Sequence, residues 1–173
     1  MPPINNVAAN ELRTITMTLS PSATYQSFTP SKSATLWLLD DEQPTVFADA
    51  QTKRALIFHP DGTPVTPDRP AKRDQPIVMY AAGLGQTTPL VRGAAAAPTS
   101  PLAEAAALAV YFGTPTINGA EIIVDFAGLV PGYVGLYQLN LRVPGNHLRG
   151  DALPVTIKMG NVSSTAGPIV AVD

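Results

Sequence analysis

Apolar and polar residues alternate along much of this chain, which is typical of β-strands that bury one face. The clearest example is Tyr137, Leu139, Leu141 and Val143, which are separated by single polar residues and share one face. Further alternation and short apolar runs predict strands at 12–19, 34–39, 46–47, 55–59, 77–82, 108–112, 121–126, 155–159 and 169–172. Because a 3.6-residue period is almost absent, the pattern predicts an all-β fold of about 7–9 strands.

In residues 121–126, the same alternation places Ile122, Val124 and Phe126 on one side and Glu121 and Asp125 on the other. Residues 102–108 are rich in alanine and have two interpretations, one or two helical turns or the approach to a strand. We favour a strand at 108–112, because its aromatic and β-branched residues prefer sheets.

Glycine and proline mark the predicted turns between these strands. Asn118-Gly119 is the strongest short hairpin signal, and Gly160-Asn161 lies where a turn is needed near the end of the chain. Gly83 and Gly85 predict a tight turn at a strand end; no Lys-Ser/Thr pair follows them, so they do not form a phosphate-binding loop. Residues 86–107, rich in alanine, proline and glycine, predict one long loop.

The Gly135-x-Tyr137-x-Leu139 element has the spacing of the tyrosine corner of immunoglobulin-like sandwiches, with Leu139 where antibody domains carry a cysteine. It follows a Pro-Gly turn and predicts an Ig-like antiparallel β-sandwich. The residues to which we assign structural roles in this fold are Tyr137, Gly135, Leu139, Gly83, Gly85, Pro131 and Gly132.

Composition narrows the classes of function. Charged residues are only 14% of the chain and the net charge is -2, with no run of Lys or Arg, so nothing predicts binding to nucleic acid. No apolar run reaches the roughly 18 residues that span a bilayer, so no membrane span is expected. The absence of cysteine excludes disulfides and cysteine-bound metal.

Four segments of the chain resemble a known family. They are residues 59–63 (HPDGT), 77–85 (IVMYAAGLG), 126–140 (FAGLVPGYVGLYQLN) and 141–144 (LRVP), the last followed by Gly150-Asp151. They resemble the uncharacterised Ig-like C-terminal domain family of acidobacterial (Solibacter-type) secreted proteins. The resemblance covers about residues 45–173 and implies an extracellular or cell-surface location. The family provides no catalytic residues to transfer to this sequence.

The resemblance and the strand pattern divide the chain in two. Residues 45–173 form the predicted Ig-like module, and residues 1–44 are an N-terminal strand segment or the tail of a preceding domain, packed on the module. Residues 1–20 lack the pattern of a signal peptide. We also hypothesise that the strand at 12–19 pairs within the chain or with a neighbouring molecule.

Candidate catalytic residues are few. The two histidines, His59 and His147, lie in predicted turn or loop positions, and no Gly-x-Ser-x-Gly element is present. A polar outer sheet face explains Glu121 and Asp125 as well as a pair of catalytic carboxylates does. We therefore expect no enzyme activity and no cofactor. The acidic cluster 40–42 leaves two interpretations open, a calcium site or a solvated turn.

The sequence predicts a non-catalytic module for spacing, anchoring or contact with other protein domains or copies of itself. The alternative is a carbohydrate-binding module, in which aromatic rings stack on sugars. Tyr133, in the Pro-Gly turn, is the best exposed candidate for a ligand contact. The other aromatic candidates are Tyr25, Phe28, Trp37, Tyr80, Tyr111 and Tyr137. Of these, we expect Trp37 to lie in the core and Tyr137 to pack at a corner of the fold.

Overall fold

The computed structural model describes the two strands at 13–18 and 33–38 and residues 43–91, 95–114, 119–145 and 148–173. This part of the chain contains thirteen strands and no helix. The strands are β1 (Arg13–Thr18), β2 (Ser33–Leu38), β3 (Thr45–Val46), β4 (Ile57–Phe58), β5 (Pro76–Ala82), β6 (Thr87–Thr88), β7 (Glu104–Ala105), β8 (Ala109–Phe112), β9 (Ala120–Leu129), β10 (Tyr137–Arg142), β11 (Gly150–Met159), β12 (Val162–Ser163) and β13 (Ile169–Val172). The prediction of an all-β fold is confirmed.

The first two strands form a sheet of their own. β1 pairs with β2 in antiparallel register, from Arg13 opposite Leu38 to Thr18 opposite Ser33. The strand predicted at 12–19 therefore pairs within the chain.

The other eleven strands form one antiparallel sheet that curls into a half-barrel. Its main order is β12-β11-β8-β9-β10-β5-β3, with β13 on β11, β4 on β5, and β6 joined to β9 through β7. At the two ends of this order, the Gln43 amide donates a hydrogen bond of 3.4 Å to the carbonyl oxygen of Ser163. One edge of β13 pairs with β11. Parallel bridges from Arg54 to Ile169 and from Ala71 to Val172 pair with its other edge.

The inner face of this sheet forms the core. Leu139, Leu141 and Val143 are fully buried and Tyr137 is nearly so, as the alternation in this strand predicts. The largest fully buried side chains from the neighbouring strands are Phe112, Ile57, Ile77, Met79 and Ile157.

A β-bulge interrupts β9. Asn140 lies opposite Phe126 and Leu141 opposite Val124, so that Asp125 is an extra residue without a partner on β10. After the bulge Ala127, not Phe126, lies opposite the buried Leu139. The prediction that Phe126 shares a face with Ile122 and Val124 is therefore wrong, because one inserted residue reverses the alternation.

The long loop predicted at 86–107 contains β6 and β7, which pair with each other. Glu104 of β7 also lies opposite Gly128 of β9, which attaches this segment to the main sheet. No helical turn is present at 102–108, and the strand favoured at 108–112 is confirmed as β8.

Gly160-Asn161 is the two-residue turn between β11 and β12, where Met159 lies opposite Val162. Gly160 has a φ of +55°, a left-handed conformation that suits glycine in such tight hairpins. β8 and β9 also pair as antiparallel neighbours, but Asn118 itself lies outside the described residues.

Candidate functional site

One end of the sheet collects most of the residues that the sequence analysis selected. Tyr137, the first residue of β10, lies opposite Ala81 on one side and Leu129 on the other. The loop after β5 and the turn before β10 therefore lie at the same end, which we call the loop end (residues 83–91, 95–108 and 130–136). It contains the predicted structural residues Gly83, Gly85, Pro131, Gly132 and Gly135, and also Tyr133. Leu139 lies two residues into β10, in the core.

Tyr137 connects the core to this end. Its phenol hydroxyl donates a hydrogen bond of 2.5 Å to the carbonyl oxygen of Gly85. Gly83 and Gly85 have φ of +69° and +71°, so both adopt the left-handed conformation that glycine tolerates best. The bond spans 52 residues of sequence, so it fastens β10 to the loop that follows β5.

We expect Tyr137→Phe to lower the free energy of unfolding by about 0.5–1.5 kcal/mol, because a partly buried hydrogen bond is lost while the ring is kept. Urea denaturation monitored by circular dichroism measures the change. Tyr133→Phe is the control, because that ring is 59% exposed. Equal midpoints for the two variants would contradict the role given to the Tyr137 hydroxyl.

The turn that carries Tyr133 is held by backbone hydrogen bonds on both sides. Within the turn, the amide of Val130 donates to Leu136 at 2.9 Å. Across the loop end, Ala97 donates to the carbonyl of Tyr133 and accepts from the amide of Gly132, both at 2.9 Å. Two backbone hydrogen bonds therefore join the turn to the long loop at Ala97.

Exposed apolar side chains concentrate at the loop end. Six large apolar residues are exposed in the described part of the chain, and four belong to the loop end. These four are Leu90, Leu102, Tyr133 and Val134, which we call the apolar patch; the other two are Leu56 and Ile123. A groove of about 570 Å³ between residues 86–89 and 101–106 opens at the same end and includes Leu102. Several large apolar residues exposed at the same end of a sheet are a candidate interaction surface.

A second group of side chains lies on the outer face of the sheet, on β4, β5, β10 and β9. Phe58 lies opposite Val78, Val78 opposite Asn140, and Asn140 opposite Phe126. Phe58 also meets Tyr80 edge to face, with ring centroids 6.0 Å apart. All of these side chains are partly exposed.

Gln138 and Asn140 form a polar pair between these aromatic rings. The Gln138 Nε2 donates to Asn140 Oδ1 at 2.8 Å. Gln138 lies opposite Tyr80 on one side and opposite Gly128 on the other. A Cβ atom at Gly128 would lie 2.6 Å from Cζ of Phe126, so the Phe126 ring covers this glycine and stands beside Gln138. We call Phe58, Tyr80, Phe126, Gln138 and Asn140 the outer-face cluster.

The charged groups beside the cluster neutralise each other. The Arg142 guanidinium donates two hydrogen bonds of 2.7 Å to the Asp125 carboxylate, at the bulge of β9. These hydrogen bonds lower the pKa of Asp125 and raise that of Arg142. Beside Phe58, on β4, a groove of about 420 Å³ is lined by Leu56 and also by the charged residues Asp49, Arg54 and Asp68.

His59 has a structural contact in the described part of the chain. It is buried, and its ring Nε2 lies 3.2 Å from the carbonyl oxygen of Arg69, to which the matching tautomer donates. The next turn is held by Asp61, which accepts from Thr63 and binds Arg69 at 2.7 Å. The hydrogen bond from the Thr63 hydroxyl, followed by that from Arg69, lowers the pKa of Asp61 far below its usual range.

Glu121 and Asp125 are both exposed and have different partners. Glu121 accepts a 3.3 Å hydrogen bond from the hydroxyl of Tyr111, whereas Asp125 binds Arg142. Burial, followed by the charge of Glu121, raises the pKa of Tyr111. His147 and the acidic cluster 40–42 lie outside the described residues.

Among the described residues, no three His, Asp or Glu side chains come together as a metal site. Nor does this part of the chain contain a helix of sufficient length and apolar character to cross a membrane.

The outer-face cluster was not selected as a site from the sequence, although Tyr80 was one of the aromatic candidates. The sequence signal that could have pointed to this cluster is the polar side of the strand at 137–143. There, Gln138 and Asn140 alternate with the residues predicted to be buried. Comparison of the chain with protein-family models, curated proteins and solved structures found no match.

Proposed function

We propose that this chain is a non-catalytic Ig-like module of a bacterial secreted or cell-surface protein, and that it works by contact with other protein domains or with copies of itself. The observation that carries the proposal is the apolar patch: Leu90, Leu102, Tyr133 and Val134 are 44–60% exposed at one end of the sheet. Large apolar groups held in water favour burial against another surface.

The course of two long strands supports the Ig-like sandwich interpretation of the curled sheet. β9 pairs with β8 through residues 120–122 and with β10 through residues 123–129. β11 likewise pairs with β13 in its first half and with β8 in its second. Strands that pass from one layer to the other through a bulge or bend form the corners of packed-sheet sandwiches.

The loop end is better suited to such contact than the short margins of the eleven-stranded sheet are. β3, β6 and β12, which lie at the margins of the sheet, have two residues each and offer few backbone groups to another strand. The loop end, in contrast, is tied down by the hydrogen bonds of Ala97 and Tyr137. A surface that is already ordered loses less conformational entropy when it binds.

We expect the double variant Leu102→Thr/Tyr133→Thr to weaken self-association about tenfold or more, because exposed anchors of this kind contribute much of the binding energy at interfaces. Sedimentation equilibrium over a wide concentration range measures the mass of the full chain. The control is Ile123→Thr, an exposed apolar residue on β9 outside the patch that is 42% exposed, close to the 44% of Leu102.

The wild type and the Ile123 variant should gain mass with concentration, whereas the double variant should stay closer to the monomer. A wild-type chain that remains monomeric at every concentration would refute association between copies. Equal association of the double variant and the control would show that the patch is not the contact surface.

A further inference from the structure

We infer that the outer-face cluster is a binding site for a neutral saccharide. The cluster shares no residue with the apolar patch, so this inference does not depend on contact through the loop end. It rests on three features of the outer face. These are partly exposed aromatic rings, an amide pair between them, and the ion pair of Asp125 and Arg142, whose charges cancel.

The aromatic rings provide flat apolar surfaces for the C–H faces of sugar rings. Phe58 and Tyr80 stand edge to face on β4 and β5, and Phe126 covers Gly128 on β9. Neighbouring strands are about 4.8 Å apart, and the order β4-β5-β10-β9 has three such spacings, so the rings border a strip about 14 Å wide. The groove of about 420 Å³ continues from Phe58, which makes this side of the face concave.

The amide pair provides both kinds of hydrogen-bonding group that a sugar hydroxyl needs. Gln138 uses Nε2 to bind Asn140 Oδ1, and the described part of the chain gives no partner to Gln138 Oε1 or Asn140 Nδ2. One is an acceptor and the other a donor. A hydroxyl both donates and accepts, so it can satisfy both atoms in turn.

Charge selects a neutral ligand. Asp125 and Arg142 bind each other through two 2.7 Å hydrogen bonds and have opposite charges, so the pair offers no net charge to an anionic or cationic group. The remaining members of the cluster are uncharged. The groove beside Phe58 adds two acidic residues, Asp49 and Asp68, and one basic residue, Arg54. This surrounding disfavours an anionic ligand, and the uncharged cluster itself matches a neutral ligand that is rich in hydroxyls.

The geometry disfavours an extended peptide in this position. β5 has β10 on one side and β3 and β4 on the other, and β10 lies between β5 and β9. Their backbone groups are therefore already paired across the cluster, and a peptide cannot be added there as a further strand.

The test is calorimetric titration of the full chain with neutral hexasaccharides of glucose, xylose and mannose in α- and β-linked forms. We expect at least one of them to bind, and Tyr80→Thr to weaken that binding about tenfold, as the loss of a stacking ring predicts. Tyr111→Thr is the matched control, a partly exposed tyrosine on β8 outside the cluster, and should change affinity less than about twofold.

Asn140→Asp keeps the inference falsifiable if Tyr80→Thr does not fold. Aspartate retains the oxygen that accepts from Gln138 but replaces the outward donor with an acceptor, so we expect affinity to fall about fivefold to tenfold with little change in stability. The inference is overturned if no neutral saccharide binds the folded wild type, if the cluster variants bind like Tyr111→Thr, or if anionic oligogalacturonate binds as well as the neutral sugars do.

Discussion

Leu139→Ala is expected to lower the free energy of unfolding by about 2–5 kcal/mol, the range for truncating a buried leucine. Leu139 is 0% exposed and lies in the middle of β10, opposite Met79 on β5 and Ala127 on β9. Strands on both sides are fixed by backbone pairing, so the sheet cannot collapse easily into the space that the side chain leaves. The cost therefore combines lost apolar burial with a residual cavity.

Urea denaturation of the full chain measures this effect, with Leu90→Ala as the control. The same chemical change at Leu90 removes a side chain that is 60% exposed, and we expect it to alter the free energy of unfolding by less than about 0.5 kcal/mol. Similar losses for the two variants would mean that β10 is not the centre of the core.

Gly128→Ala is expected to lower the free energy of unfolding by about 1–3 kcal/mol, because it overpacks a closed site. The added Cβ would lie 2.7 Å from the carbonyl oxygen of Ala103 and 2.6 Å from the Phe126 ring. The carbonyl belongs to the segment beside β7, and it accepts a 2.9 Å hydrogen bond from the amide of Leu129. Relief of the clash would therefore have to move backbone that is already bonded.

Gly145→Ala is the control for this second substitution. Neither glycine has a positive φ, and a Cβ at Gly145 would meet Arg73 at an ordinary distance of 3.6 Å. The double variant Phe126→Ala/Gly128→Ala separates the two obstacles, because it removes the ring but leaves the Ala103 carbonyl. If Gly128→Ala is as stable as Gly145→Ala, the close approach of β9 and the Ala103 segment is incorrect.

The sequence predicts strands well where the period of two is unbroken. β10 alternates from Tyr137 to Val143 without interruption, and its buried face is the predicted one. β9 is different. The bulge at Asp125 changes which of its residues face the core, but nothing in the sequence of residue types marks the bulge. A local pattern contains no information about how many residues stand opposite the partner strand, so the position of Phe126 could not be predicted.

The same limit applies to the candidate sites. The Pro-Gly turn predicts an exposed position for Tyr133, because turns lie at the surface and Tyr133 precedes the alternating apolar and polar residues of the strand. The outer-face cluster depends on the register between β4, β5, β10 and β9, which brings Phe58, Tyr80 and Phe126 around Gln138 and Asn140. Aromatic residues in strands are more often core, so without register only Tyr80 was a candidate, and Phe58 and Phe126 gave no signal of a surface site.

The short strands at the margins of the sheet have a consequence for solubility. Many β-proteins place lysine or other charges along their edge strands, which prevents stacking into aggregates. This chain has few charges to use in that way, since only 14% of its residues are charged. Margins of two residues each, together with the Gln43 amide that bridges β3 and β12, leave little template for fibril growth. In the eleven-stranded sheet, protection from amyloid-like stacking would then come from the shortness of its margins and not from electrostatic repulsion.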